Sequence, residues 1–317
     1  MHGPALRGGA SDGSSGEVRS KGLSSMRALV TGASGFLGSH ICDELEFRGV
    51  DVLGFDLVPS RWHRATDAYL GDVRDADALK RAMSGCSVVF NCAGVADLDS
   101  AKANPRRAIE VNVLGTLSVL EAASAVGVSR LLQASSVYVY SNGGSVYRTT
   151  KQAAESLIED LSADMALSAT ILRFGSLYGP RADPGNAILR LVTQAVREGH
   201  IDFWGDGTEV REYIHIQDAA RLAVDAMGEE FIGQSLHISG NERLTTGELL
   251  ETMNEILGGS LRISYRDEPF EGRYRLTPYA YREGVGRRMV GSTYVDLGVG
   301  LLEAIRDADR GDGTIPG

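Results

Sequence analysis

From Met26 onward, short apolar runs alternate with longer stretches in which apolar residues recur every three or four positions. Residues 28–31, 51–55 and 87–91 read as buried strands, with amphipathic helices predicted at 38–48 and 76–83 between them. The rhythm continues through a helix at 108–126, a strand at 131–135, a helix at 147–161 and a strand at 168–173. Strands joined by helical crossovers must run parallel, so residues 26–177 are predicted to form one doubly wound α/β domain. After Arg173 the alternation breaks at the loop signals Gly179-Pro180 and Asp183-Pro184-Gly185. Helices are predicted at 188–198, 217–227, 246–257 and 297–305, with short strands at 236–239 and 261–265. This pattern predicts a smaller C-terminal α/β lobe built from 178–208 and 231–317, with 209–230 returning to the first domain. Such a lobe would sit over the carboxyl edge of the sheet, where open α/β sheets bind ligands.

Composition narrows the picture. The chain has 39 glycines in 317 residues, well above the roughly 7% of average usage. Some of them fall in residues 1–25, a Gly/Ser-rich stretch with no apolar periodicity, which reads as a disordered extension and lacks the apolar core of a signal peptide. Lys plus Arg number 32 against 42 Asp plus Glu, a net charge of −10, which argues against nucleic acid as a partner because that needs clustered positive charge. No apolar run approaches the roughly 18 residues that span a bilayer, so no membrane partner is expected. Three cysteines without a CxxC pair point to no metal site and to a reducing, cytoplasmic compartment.

The glycines that carry chemistry are Gly32, Gly35 and Gly38, in Thr31-Gly-Ala-Ser-Gly-Phe-Leu-Gly38, between a predicted strand and a predicted helix. In that setting Gly32 makes the tight turn, Gly35 admits a pyrophosphate to the backbone, and Gly38 lets helix and strand pack closely. Ser34, Phe36 and Leu37 complete the loop, and the helix N-terminus favours phosphate charge. The domain is therefore expected to be of the Rossmann type. Asp56 ends the second strand where an acid can hold the adenosine ribose hydroxyls, favouring NAD over NADP. Asp72 and Val73 follow the third strand and could face the adenine. Tyr147 and Lys151 lie four residues apart on one helix face, so the ammonium would lower the phenol's pKa from about 10 and let it exchange a proton near neutral pH. Ser135 and Ser136 close one strand and Asn91-Cys92-Ala93-Gly94 another, so several strand ends converge on one crevice.

In this order and spacing the motifs resemble the extended short-chain dehydrogenase/reductases, the NAD-dependent nucleotide-sugar epimerase/dehydratase group. They are TGASGFLG at Thr31, Asp56, GDVRD at Gly71, NCAG at Asn91, VNVLGT at Val111, SSVYVY at Ser135, YRTTK at Tyr147 and LRFGSLYGP at Leu172. The resemblance implies that Tyr147 is the catalytic acid/base, that Lys151 orients the nicotinamide ribose and tunes the tyrosine, and that Ser136 is the catalytic hydroxyl. It further implies that Ala93, Gly94, Asn112, Ser135 and Phe174 belong to the cofactor site and that the protein is a homodimer. Arg211, in a segment like the group's GDGxxxRDFxHVxD, would reach the diphosphate of a nucleotide-sugar substrate, with Asn186 and Arg273 as further substrate contacts. His215 reads as a packed structural residue.

The chain departs from the pattern in two places. Only Ser141 to Val146 separate the VY pair from Tyr147, where most nucleotide-sugar members carry a longer acidic loop. Val137 and Tyr138 stand where sugar 4,6-dehydratases carry Asp-Glu, and Tyr138 where decarboxylases carry Glu. The expected activity is thus an NAD-dependent epimerase acting at C4 through a 4-keto sugar. A nucleotide-sugar dehydrogenase or 4-ketoreductase stands second, then a decarboxylase or dehydratase, and a non-catalytic NAD(P) sensor last.

Overall fold

The computed structural model describes residues 26–62, 68–141, 143–241, 243–266 and 287–309. The extension at 1–25 and Arg273 lie outside the described residues. In chain order the elements are β1 (Arg27–Thr31), α1 (Phe36–Phe47), β2 (Asp51–Asp56), β3 (Ala68–Leu70), α2 (Ala76–Met83) and β4 (Val88–Asn91). There follow α3 (Leu98–Ala103), α4 (Pro105–Ile109), α5 (Gly115–Val126), β5 (Arg130–Ser136), α6 (Ser145–Leu161), β6 (Ser168–Phe174) and β7 (Ser176–Tyr178). The remainder comprises α7 (Ala187–Glu198), β8 (His200–Trp204), β9 (Val210–His215), α8 (Ile216–Asp225), β10 (Ser235–Ile238), β11 (Arg243–Thr245), α9 (Thr246–Ile256), β12 (Arg262–Arg266), β13 (Arg287–Met289) and α10 (Leu297–Asp309).

Eight strands form one parallel sheet in the order β13-β10-β6-β5-β4-β1-β2-β3. The chain reverses its direction of travel between β1 and β4, which opens a crevice beyond their carboxyl ends. Side chains alternate between two cores, as the period of a strand requires. Val30, Val52, Phe90 and Leu132 face α1 and α8, and Leu29, Leu53, Val89 and Leu131 face α2, α5 and α6. The Rossmann-type doubly wound sheet expected from the sequence is what the chain forms.

The predicted lobe boundary needs correction. β10 pairs with β6 and β13 pairs with β10, so two strands assigned to 231–317 extend the main sheet. Leu236 and Ile238 are fully buried in the core beneath α8, and that burial holds the strand there. Within 209–230, α8 packs on the main sheet, whereas β9 pairs with β7 and β11 in a separate three-stranded sheet. The smaller lobe keeps α7, α9, α10 and the β8–β12 pair around Val192, Ile201, Leu250, Met253 and Leu301.

The helix expected at 108–126 is longer and less regular. A π-turn at Glu110–Leu114 joins α4 to α5 and turns Asn112 into the interior. The continuous stretch Pro105–Val126 has a mean hydropathy of 1.4 over its most apolar window, more apolar than the sequence pattern suggested. Its Ala108, Val119, Leu120 and Ala123 are buried against the domain, while Ile109 and Leu114 are half exposed.

Charge is also buried. Arg173 on β6 pairs with Glu155 on α6 at 2.7 Å and donates to the Tyr140 hydroxyl at 2.6 Å, while the Ser135 hydroxyl donates to Glu155. Removing one member of such a pair strands the other in the interior. Arg173→Met should cost about 3 kcal/mol in urea denaturation, with most of the loss recovered in Arg173→Met/Glu155→Gln.

Candidate active site

The crevice at the switch point is a cleft of about 380 Å³, within the roughly 300–1,000 Å³ of ordinary small-molecule pockets. Its floor is the β1–α1 turn. Gly32 has φ +69°, and a Cβ there would lie 2.8 Å from the Ala93 nitrogen; a Cβ at Gly38 would lie 2.1 Å from the Gly32 carbonyl oxygen. Only glycine fits either place. Gly35 caps α1 without a side-chain hydrogen bond, and no acidic residue occupies the first turn. The unpaired N–H groups of the helix start and its dipole are therefore available to an anion. Gly32, Gly35, Phe36, Leu37 and Gly38 all line the cleft. Thr31 donates to Asn91 at 2.6 Å and accepts from the Ala93 N–H, and Asn91 donates to Gln133, so the ends of β1, β4 and β5 are tied together.

Asp56 lines the cleft, and its oxygens accept the N–H groups of Ser34 at 2.9 Å and Val58 at 3.3 Å. Ser34 itself turns away: its hydroxyl donates to Val58 O at 2.7 Å and it lines a separate small cavity. This corrects the expectation that it contacts cofactor. The Arg74 guanidinium beside Asp72 holds that carboxyl below the usual range, and Asp72 and Val73 both form cleft wall. An acid at Asp56 and a glycine cradle with a free helix terminus fit a dinucleotide with unmodified ribose hydroxyls.

At the other end, β5 and α6 bring Ser136, Tyr147 and Lys151 together in the wall beside Ala93, Gly94 and Phe174. Lys151 is buried and its Nζ donates to Ala134 O at 2.9 Å. Burial pushes its pKa down from 10.5 to about 8, and the ammonium lies 6.0 Å from the centroid of the Tyr147 ring. The Ser136 hydroxyl accepts the Tyr138 N–H at 3.3 Å. Cys92 also borders the cleft, but burial raises its thiol to about 12 and leaves it inert.

Two residues expected to touch the cofactor act one step back. Asn112 spends its amide on the Val95 N–H at 2.8 Å, the Val95 carbonyl and the Thr150 hydroxyl, fixing the loop after Gly94 to α6 without lining the cleft. Ser135 contributes to the wall, yet its hydroxyl is donated to Glu155.

The substrate-side expectations fare less well. Asn186 is the N-cap of α7: its oxygen accepts from Ile188 and Leu189, its nitrogen donates to Leu177 O, and it is not part of the cleft wall. Arg211 lies on β9, donates to the Val210 carbonyl at 3.1 Å, and is not part of the cleft wall. Its strand belongs to the separate sheet, which the sequence pattern did not separate from the main one. Arg107, Leu177 and Asp183 line the cleft and were not singled out. The tandem arginines ahead of VNVLGT were the available signal for Arg107.

A family model described as the NAD dependent epimerase/dehydratase family matches residues 28–238. The chain is similar to a UDP-glucuronate 4-epimerase of Thermodesulfobacterium geofontis, 26% identical over 75% of this chain and 82% of that one. It is similar too to a UDP-N-acetyl-alpha-D-glucosaminuronate decarboxylase of Bacillus cytotoxicus, 26% identical over 83% and 88%. Among solved structures, MoeE5 in complex with UDP-glucose and NAD superposes with a TM-score of 0.77 at 28% identity, covering 90% of this chain and 99% of MoeE5. The NAD complex of Thermus thermophilus UDP-glucose 4-epimerase gives 0.74 at 26%, covering 90% of this chain and all of the other.

Lys151 yields a stability prediction with a defined sign. Its folded pKa of about 8 lies below the ordinary 10.5, so the folded protein bears the full cost of a buried ammonium below pH 8, and stability rises as pH climbs between those values. Ala134 O keeps a second donor, the Gln133 amide at 3.0 Å. Lys151→Met should therefore stabilise the cofactor-free protein at pH 7 by about 1–3 kcal/mol, with the advantage shrinking towards pH 10. Urea denaturation at both pH values measures it; a less stable variant at pH 7 contradicts the assignment.

Proposed function

The chain belongs to the NAD dependent epimerase/dehydratase family, and on that premise we propose that it is an NAD-dependent epimerase acting at C4 of a nucleoside-diphosphate sugar. The observation that carries the reading is the content of the wall at the end of β5. Ser136, Tyr147 and Lys151 meet there, while the two positions after Ser136 are Val137 and Tyr138. A hydroxyl can be oxidised and reformed with a phenol, a serine and an ammonium. The Asp-Glu pair that serves proton removal from C5 and protonation of a leaving group at C6 is missing, since Val137 and Tyr138 supply no carboxyl group.

Bound NAD supplies the hydride acceptor and donor at C4. With the cofactor in place, Tyr147 would take the proton from the 4-hydroxyl and later return it to the same oxygen. Ser136 donates a hydrogen bond to the same oxygen, stabilising charge that develops there. Lys151, still protonated at pH 7, would favour the phenolate through its nearby charge and would be a donor to a ribose hydroxyl of the cofactor. The glycine cradle would hold the cofactor's diphosphate.

The surroundings support two further readings. Ile109 and Leu114, half exposed on the apolar stretch Pro105–Val126, suit a homodimer packed through that helix. The free thiols of Cys42, Cys86 and Cys92 suit a reducing cytoplasm.

Incubating the protein with UDP-, GDP-, CDP- and dTDP-hexoses and following the products by NMR tests the reading. A C4 epimer should form with one substrate class, and Tyr147→Phe should lower the rate at least about 10²-fold while NAD affinity changes less than about threefold. Near-normal turnover in that variant, or a dehydrated or decarboxylated product from the parent, contradicts it.

A further inference from the structure

Tyr138 touches both residues assigned to the 4-oxygen, Tyr147 and Ser136. Its N–H donates to the Ser136 hydroxyl at 3.3 Å, and its ring stands edge-on to the Tyr147 ring with centroids 6.0 Å apart and planes at 78°. The ring is held from behind. It packs in one apolar cluster with Val95, Leu98, Ala101, Ala108 and Tyr147, and its carbonyl accepts both the Ser141 N–H at 3.0 Å and the Ser141 hydroxyl at 3.1 Å. On the remaining side lies Gly144, with φ +89°, where a Cβ would be 2.7 Å from the Tyr138 ring and 3.0 Å from the Arg148 Cβ. The glycine is thus required twice, by its backbone and by the aromatic ring filling the space a side chain would need.

We propose that Tyr138 is a positioning residue that sets the placement of the Tyr147 and Ser136 hydroxyls relative to each other, and that Gly144 exists to make room for it. Edge-to-face aromatic pairs have a preferred geometry, so the Tyr138 ring restricts the swing of the Tyr147 ring, and Gly144 lies directly against the Tyr138 ring. The position that could have carried a reacting carboxylate instead carries a brace. The proposal rests on the reading of Tyr147 as the proton-transfer group.

Three variants test it. Removing the ring in Tyr138→Ala should lower kcat at least about tenfold while KM and NAD affinity change less than about twofold, because misplacement of a reacting group falls on the chemical step. Gly144→Ala, which pushes a methyl against the ring, should lower kcat in the same direction. Tyr138→Phe restores the ring and should recover the rate to within about threefold. The limb of the kcat/KM pH profile governed by proton transfer should move in Tyr138→Ala and return in Tyr138→Phe, a pattern that loss of folding alone does not produce. Crystal structures with NAD bound give a readout independent of turnover: the Tyr147 hydroxyl should shift by about 1 Å or more relative to Ser136 in Tyr138→Ala. An unmoved hydroxyl overturns the proposal, as does unchanged kcat in Tyr138→Ala. A parent protein inert on every sugar nucleotide defeats the epimerase reading instead, and the crystallographic comparison still decides this one.

Discussion

The site depends on how one helix is fastened to the end of the sheet. Tyr147, Lys151 and Glu155 follow each other at four-residue intervals, so they form a single stripe along α6, and all three are buried. Lys151 reaches the carbonyl of Ala134, and Glu155 takes the Ser135 hydroxyl and the Arg173 guanidinium. An ammonium and a carboxylate are costly to bury, and each is tolerated only because β5 and β6 present a partner at a defined height. The helix cannot slide or rotate without stranding a charge, and Tyr147 at the head of the stripe is thereby held beside Ser136.

The other half of the cleft is set by the opposite device, the absence of side chains. Gly38 brings α1 onto the Gly32 carbonyl, and Gly32 lies against Ala93, so the helix start, the β1 turn and the β4 end approach more closely than any Cβ would permit. Charge fixes the proton-transfer end and missing atoms fix the phosphate end. Asn112, turned inward by the π-turn, connects them by clamping Val95 and Thr150.

Much of this was legible in the sequence, because it rests on local features. The glycine spacing, the four-residue Tyr–Lys interval and the βα rhythm are read along the chain, and the cleft contains Gly32, Gly38, Asp56, Ser136, Tyr147 and Lys151 together. What was not legible depends on contacts distant in sequence. Whether Leu236-His-Ile238 pairs with β6 or joins the lobe is decided by burial beneath α8, and whether Arg211 reaches the cleft is decided by the partners of β9. Asn186 reads two ways for a nearer reason: an asparagine two residues before an apolar helical run is as good a cap as a ligand, and in the fold it serves as the cap. Tyr138 lies within the SSVYVY motif, where the sequence shows only that a carboxylate is missing; the ring it leans on is visible only in the fold.

The central claim is that the protein takes a hydride from C4 of its sugar and returns it to the same carbon. Feeding the enzyme a UDP-hexose carrying deuterium at C4, and following the product by NMR and mass spectrometry, tests this directly. The account predicts a C4 epimer that keeps its deuterium at C4, with unchanged mass and no free NADH. Loss of the label from C4, or a product lighter by water or carbon dioxide, contradicts it.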